Sequence, residues 1–170
     1  MTKRLKLLLF IFAALIAITI DWQTKLWAKK VLFYIRSKTY FDGHFMLDYA
    51  ENKGAALSFG ANLPESQAFW VLQILPMVLL VLIVIHFFKN MKDLVALEII
   101  GFAFIFGGGF ANLVDRFQNK RHVIDFMIIE IFGFQTGIFN FADVFITTGL
   151  ILLISNAFYS IIFNQSKINQ

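Results

Sequence analysis

Four long apolar runs, each about the length needed to cross a hydrocarbon core, constrain this 170-residue chain more than any other feature. Leu7 to Ile20 carries no charge, and the run continues past Asp21 and Lys25 to Trp27, giving a first span at 7–27 with a polar far end. Ala68 to Phe88 contains no Lys, Arg, Asp or Glu. Pro76 lies inside it, which membrane helices tolerate when neighbours re-satisfy the freed carbonyl. Leu94 to Val114 carries only Glu98, and Ile138 to Phe163 carries only Asp143. Glu98 lies near the end of its span, as a boundary or snorkelling carboxylate does. Composition agrees: 59% of residues are hydrophobic and 15% charged, with a mean hydropathy of +0.72. Soluble domains run at about 45–50% apolar and about 25% charged. An ordinary soluble domain and a disordered chain are both excluded. The expected fold class is an all-α membrane protein, a single domain over 1–170 with four transmembrane helices.

Cysteine is absent, which excludes disulfides, iron–sulfur clusters and thiol catalysis. His44, His86 and His122 lack any ligand spacing, so neither a metal nor another cofactor is expected. The net charge of +4 would raise nucleic acid as a partner for a soluble chain. Here the basic residues flank apolar spans and anchor them at the interface, so membrane lipid is the expected partner and nucleic acid is not. A cleavable signal peptide is the competing reading of Lys3, Arg4 and Lys6 followed by Leu7–Ile20, but Ala13, Ala14 and Ala17 sit too deep in the run for a cut. With four spans, both termini and the loop Lys89–Asp93 share one side. Six basic residues fall there and nine on the other side, so charge alone leaves the orientation open.

Two stretches lie between spans. In 37–63, Asp42-Gly43 is a turn signal, and Phe45, Leu47 and Tyr49 alternate at period two, which predicts a small β hairpin or sheet at the membrane surface. It leads into Asn52-Lys53-Gly54-Ala55-Ala56, where small residues allow close backbone approach. In Asp115–Gly137, charges mix with the apolar run Met127–Phe134, which predicts a segment that re-enters the membrane or lies on its interface.

Charge at bilayer depth costs about 2.5–3.5 kcal/mol even on lenient scales, so the polar residues near the spans are candidates for function. Asp21 and Lys25 are four apart and share a helix face, as a structural ion pair or as part of a site. Asn112, Asp115 and Arg116 share one face at the end of the third span, with Gly107, Gly108 and Gly109 one turn earlier. Close helix packing explains the glycines well but leaves the Asn112 amide in need of partners. Asn140 and Asp143 share a face at the start of the fourth span, and Asp125 sits inside the apolar run Val123–Phe126. If Asp125 and Asp143 meet, one proton is shared between them, as in aspartic peptidases. A proton-relay pair in a small transporter has the same pattern, and a non-catalytic membrane adaptor is a further alternative.

Taken together, four passages resemble the lipoprotein signal peptidases (signal peptidase II). They are Asp21-Trp22-Gln23-Thr24-Lys25; Asn52-Lys53-Gly54-Ala55-Ala56; Gly108-Gly109-Phe110-Ala111-Asn112-Leu113-Val114-Asp115-Arg116 with Val123-Ile124-Asp125-Phe126; and Phe139-Asn140-Phe141-Ala142-Asp143. They follow the family's order over nearly the whole chain. Leu57, Ala111, Arg121-His122 and Gly137 depart from its usual Phe, Gly, Gly-Tyr and Pro. The resemblance implies a multi-pass enzyme of the bacterial inner membrane, with both termini cytoplasmic and the site toward the outer, periplasmic leaflet. A small extracytoplasmic β-cradle would rest on the membrane. The implied activity is that of an aspartic endopeptidase without cofactor. It removes the signal peptide from a prolipoprotein by cutting just before the lipobox cysteine that carries diacylglycerol. Asp125 and Asp143 would be the catalytic dyad. Asn52, Asn112, Arg116 and Asn140 would hold substrate and orient the dyad, and Asp21, Lys25, Gly54, Gly108 and Asp115 would support them. The resemblance also implies inhibition by globomycin, a cyclic peptide.

Overall fold

The computed structural model describes residues 1–35, 37–55 and 59–168, with side chains as far as residue 162. Arg36, Ala56 and Leu57, which figure in the charge count and the second motif, lie outside the described residues.

Helix α1 runs Lys3–Val31, starting where Thr2 Oγ1 accepts from Leu5 N–H at 3.3 Å. Its buried residues are Lys6, Phe10, Ala13, Ala14, Ala17, Asp21, Lys25 and Ala28, one stripe at steps of three and four. The polar pair Asp21 and Lys25 therefore continues the apolar packing face. The outward residues Leu8, Phe12, Leu15 and Trp22 are exposed, as lipid-facing positions are.

Helix α2, Glu65–Asn90, contains a π turn at Trp70–Ile74 in which Leu75 N–H reaches back to Trp70 O. Pro76 follows directly, so the widened turn takes up the break that a proline makes in the hydrogen-bond ladder. Helix α3, Ala96–Gln118, is the hub and packs mainly against α1 and against α4, Phe141–Ile168. Glu98 sits at its boundary, accepting from Val95 N–H at 2.9 Å and from Asn156 Nδ2 of α4 at 3.1 Å. The four long apolar helices bear out the all-α membrane class.

Small residues set how closely α3 is approached. A Cβ on Gly107 would lie 2.7 Å from Ala14 O of α1, and one on Gly108 would overlap Ala142 O of α4. Beyond this seam, Phe10 stacks on Phe87 with centroids 4.4 Å apart, closing the end of the bundle near the termini. There Lys6 Nζ donates to Lys92 O and Leu94 O, both at 2.7 Å.

The β element is larger than expected. Strands β1 (Lys38–Tyr40), β2 (Phe45–Asn52), β3 (Val123–Ile131) and β4 (Phe134–Gln135) form one antiparallel sheet in the order β1-β2-β3-β4. The turn at Asp42-Gly43 forms, with φ of +52° and +96°. The stretch 115–137 runs from the end of α3 through β3 and β4. Its apolar run Met127–Phe134 forms the outer half of β3 and the turn into β4, while the inner half, Val123–Met127, is buried, which explains the lack of alternation there. Phe126 and Met127 pack with Ala28 and Leu32, seating the sheet on the far end of α1.

Gly108→Ala forces α3 from the α4 backbone and is expected to cost about 1–3 kcal/mol. Gly109→Ala meets only the Leu80 Cδ2 end, at 2.9 Å, which can swing away. Thermal unfolding in detergent should rank Gly108→Ala clearly below Gly109→Ala and wild type; equal midpoints would contradict the packing described.

Candidate active site

The elements place their polar residues at one level, between the apolar cluster around Phe10 and the one around Phe126. Pairing of β2 with β3 puts Ala50 opposite Asp125 and Asn52 opposite Val123. Asn52 Nδ2 thereby donates to Asp125 Oδ2 at 2.9 Å. The other oxygen of Asp125 accepts from Asn140 Nδ2 at 2.6 Å.

Asn140 and Asp143 open α4 as a reciprocal cap. Asp143 N–H donates to Asn140 Oδ1, and Asn140 N–H donates to Asp143 Oδ2, both at 3.1 Å. This arrangement satisfies two N–H groups that a helix start otherwise leaves open. Asp143 Oδ1 accepts from Asn112 Nδ2 at 3.0 Å. Asn140, expected among the substrate contacts, is wholly buried, and its amide is shared between Asp125, Asn112 and Ile124 O. It touches both aspartates at once, through side chain and main chain.

Behind this layer lies an ion cluster. Lys25 Nζ lies 2.6 Å from Asp21 and 2.8 Å from Asp115, and donates to Asn112 Oδ1 at 2.9 Å. Asp21 Oδ1 accepts from Ala142 N–H at 2.8 Å, so the end of α1 also fixes the start of α4. Arg116, itself buried, donates from its Nη atoms to Gly54 O at 2.9 Å and Asn112 O at 3.3 Å. Asn52 Oδ1 accepts from Gly54 N–H at 2.8 Å, completing the loop that Arg116 grips.

The expected residues divide by position. Asp125, Asp143, Asn52, Gly54, Asn112 and Arg116 line one cavity of about 670 Å³. Asp21, Lys25, Asp115, Gly108 and Asn140 are not in its lining. Four carboxylates share this region with two cations, Lys25 and Arg116. Several participants were not foreseen from the sequence: Ala142 N–H, Ile124 O and the segment Thr136–Phe139, which also lines the cavity. Ala142 and Ile124 act through backbone, so no side chain announces them. Of the departures from the family pattern, Gly137 lies in that segment, Arg121 adopts φ +77°, and His122 Nδ1 sits 3.7 Å from Glu51.

The chain matches the family model described as Signal peptidase (SPase) II over residues 13–159. It is similar to the lipoprotein signal peptidase of Fusobacterium nucleatum, with 32% identity over 94% of this chain and 90% of that one. With the lipoprotein signal peptidase of Chlorobium phaeobacteroides the identity is 34%, over 95% of each chain. Its fold is similar to a bacterial membrane enzyme solved by the in meso method at 2.3 Å, with a TM-score of 0.75 and 26% identity over 89% of this chain and 88% of that one.

Burial pushes the Asp125 carboxyl up from 3.8 to about 6; the Asn52 hydrogen bond opposes this, the Asp143 charge adds to it, and Asn140 and Lys25 oppose it. A folded value above the unfolded one means the fold holds this proton more tightly. The stability this gives is full below about pH 4 and is lost as pH rises through about 6. Compared with Asp125→Asn, wild type should lose up to about 3 kcal/mol across that window. Asn52→Ala removes a donor to the charged form and should move the upper end of the window to higher pH. Unfolding midpoints in detergent against pH test both, and a flat difference between wild type and Asp125→Asn would contradict the burial argument.

Proposed function

Since this chain belongs to the lipoprotein signal peptidase (signal peptidase II) family, we propose that Asp125 and Asp143 are its catalytic pair. The protein is a multi-pass bacterial membrane protein and an aspartic endopeptidase. It removes the signal peptide from diacylglyceryl-modified prolipoproteins by cutting just before the lipidated cysteine. The observation that carries the dyad assignment is the buried Asn140, hydrogen-bonded to both carboxylates, which line one cavity. Asp21 and Asp115 are buried or half-buried too, but both are occupied by Lys25.

In this reading the pair shares one proton in the resting enzyme, and Asp125, the carboxyl raised by burial, is the side that delivers it. Asp143 sits in the first turn of α4, where the helix dipole favours negative charge. It takes a proton from water as the water oxygen attacks the scissile carbonyl, and Asp125 gives its proton to the carbonyl oxygen. The resulting gem-diol collapses as the peptide C–N bond breaks. The gem-diol hydroxyl returns a proton to Asp125, and Asp143 passes its proton to the leaving amine. Asn140 positions the two carboxylates, and Arg116 and Asn52 border the path of the substrate main chain. Globomycin occupies the same cavity, across the dyad. The diacylglyceryl chains lie in the bilayer beside the apolar part of the lining, at Pro76, Val144 and Ile146.

Both termini lie in the cytoplasm and the dyad faces the outer leaflet. Support comes from the even number of spans, which puts both termini on one side, and from the arrangement expected of the family. The absence of cysteine makes the orientation easy to read. Asp42→Cys should react with a membrane-impermeant maleimide added to intact cells stripped of outer membrane, and Lys92→Cys only after lysis. The reverse pattern would invert the assignment.

Purified protein in detergent should cleave a diacylglyceryl-modified prolipoprotein, and globomycin should block the cut. Asp125→Asn and Asp143→Asn should each lose at least about a thousandfold in rate. Arg116→Lys, unable to keep the fork of contacts, should weaken globomycin inhibition. Cleavage that survives either aspartate change would break the dyad assignment.

A further inference from the structure

Three side-chain hydroxyls line the cavity, on Thr136, Thr147 and Thr148. Thr136 is occupied, its Oγ1 accepting from Ile129 N–H at 3.0 Å. Thr147 and Thr148 lie inside α4, where a threonine hydroxyl can donate to a carbonyl of the preceding turn. Thr24 of α1 does so, to Ile20 O at 2.7 Å and Asp21 O at 2.9 Å. Thr147 and Thr148 do not, and neither hydroxyl has a hydrogen-bond partner among the described residues. Thr147 is exposed and Thr148 half-buried, so both hydroxyls stay open to the cavity they line.

Their place on the helix gives these open groups a fixed relation to the chemistry. Asp143 is in the first turn of α4, and the two threonines follow four and five residues later. At about 1.5 Å per residue they lie about 6 and about 7.5 Å further along the helix axis, deeper in the bilayer. Thr147 falls on the same face as Asp143, and Thr148 on that of Val144. Pro76, Val144 and Ile146, on the same lining, are apolar. Little water competes in such surroundings, so a hydroxyl there counts for more toward an acceptor that arrives.

The modified cysteine of the substrate carries acceptors at that distance. From the nitrogen of the scissile bond the chain runs through Cα, Cβ, sulfur and glycerol carbons to two ester carbonyls. The nearer is roughly seven bonds away, a reach of at most about 9 Å at ordinary bond lengths. A carbonyl oxygen only accepts, and a hydroxyl can donate.

We propose that the hydroxyls of Thr147 and Thr148 donate to the ester carbonyls of the diacylglyceryl group, so that the site selects for the ester linkage as well as for the apolar chains. Burial of the chains is non-directional. Two placed donors fix how far along α4 the glycerol sits, and with it where the scissile bond stands relative to Asp125 and Asp143. The inference rests on the peptidase reading above and adds the residues that select the lipid part of its substrate.

The test compares two synthetic lipopeptides of one sequence and one chain length. One has two ester-linked chains on its glycerol; the other has two ether-linked chains, which lack the carbonyls. Wild-type protein in detergent should show a KM for the ether-linked peptide about tenfold above that for the ester-linked one, as two hydrogen bonds of ordinary strength would give. Thr147→Val or Thr148→Val alone should lower that preference to about threefold, and the two together should bring it within about twofold of unity. Thr147→Ser with Thr148→Ser keeps both hydroxyls and should retain the preference. Equal KM values for the two peptides with wild type overturn the proposal, whether or not the variants fold. An ester preference that survives the loss of the hydroxyls overturns it as well. Failure of wild type to cut the ester-linked peptide overturns the peptidase reading itself, and this inference with it.

Discussion

Lys25 Nζ lies among Asp21 Oδ2, Asp115 Oδ2 and Asn112 Oδ1, at 2.6, 2.8 and 2.9 Å. An ammonium group has three hydrogens, and here each has an acceptor. Two of those acceptors lie on α3 and one on α1, so the contact ties the two helices at the level of the cavity. Asp21 then reaches Ala142 at the start of α4, and Asn112 reaches Asp143. Removing the cation would leave two carboxylates without a counter-charge in a low-dielectric setting, a loss of about 3–5 kcal/mol in comparable buried pairs. The orientation of Asn112, with oxygen toward Lys25 and Asn140 and nitrogen toward Asp143, is held by that charge together with the Asn140 amide.

The glycines work on the same geometry from the other side. Gly107 admits the backbone of α1 and Gly108 that of α4, so two helices meet α3 at short range. Without that approach, side chains as short as Asn and Asp could not reach one another between helices. Small residues and short polar side chains are thus one arrangement: the first sets the separation, and the second uses it.

Much of this was legible in the sequence where spacing on a single helix carries it. Asp21 with Lys25, Asn112 with Arg116, and Asn140 with Asp143 each fall on one face, and each pair or group is found in the same part of the site. The four apolar runs gave the four helices. Contacts between distant segments were not legible. Asn52 and Asp125 meet through the register of β2 on β3, and Val123–Ile131 hides its strand because both faces of its first half are buried. The sheet was therefore expected from 37–63 alone, and half of it came from elsewhere. The family resemblance gave Asn140 two parts, holding substrate and orienting the two aspartates; it is wholly buried, and its contacts are with the aspartates. Burial of a polar residue is a property of the packed chain, and a single sequence shows it only when a periodic stripe runs through the residue, as one does for Lys25.

That stripe begins with a second buried lysine. Lys6 binds the carbonyls of Lys92 and Leu94 at one end of α1, and Lys25 binds the ion cluster at the other. The nineteen residue steps from one to the other rise by about 28 Å along the helix axis, close to the roughly 30 Å of a hydrocarbon core. Helix α1 thus acts as a gauge rod pinned at both ends, holding the carboxylates one bilayer thickness from the opposite face. A membrane of another thickness meets that rod as a mismatch, relieved by tilt or by deformation of the lipid around it. Tilting the rod lowers Asp125 and Asp143 relative to the headgroups. The depth at which the peptide bond is presented is therefore a joint property of the helix and of the lipid in which it stands.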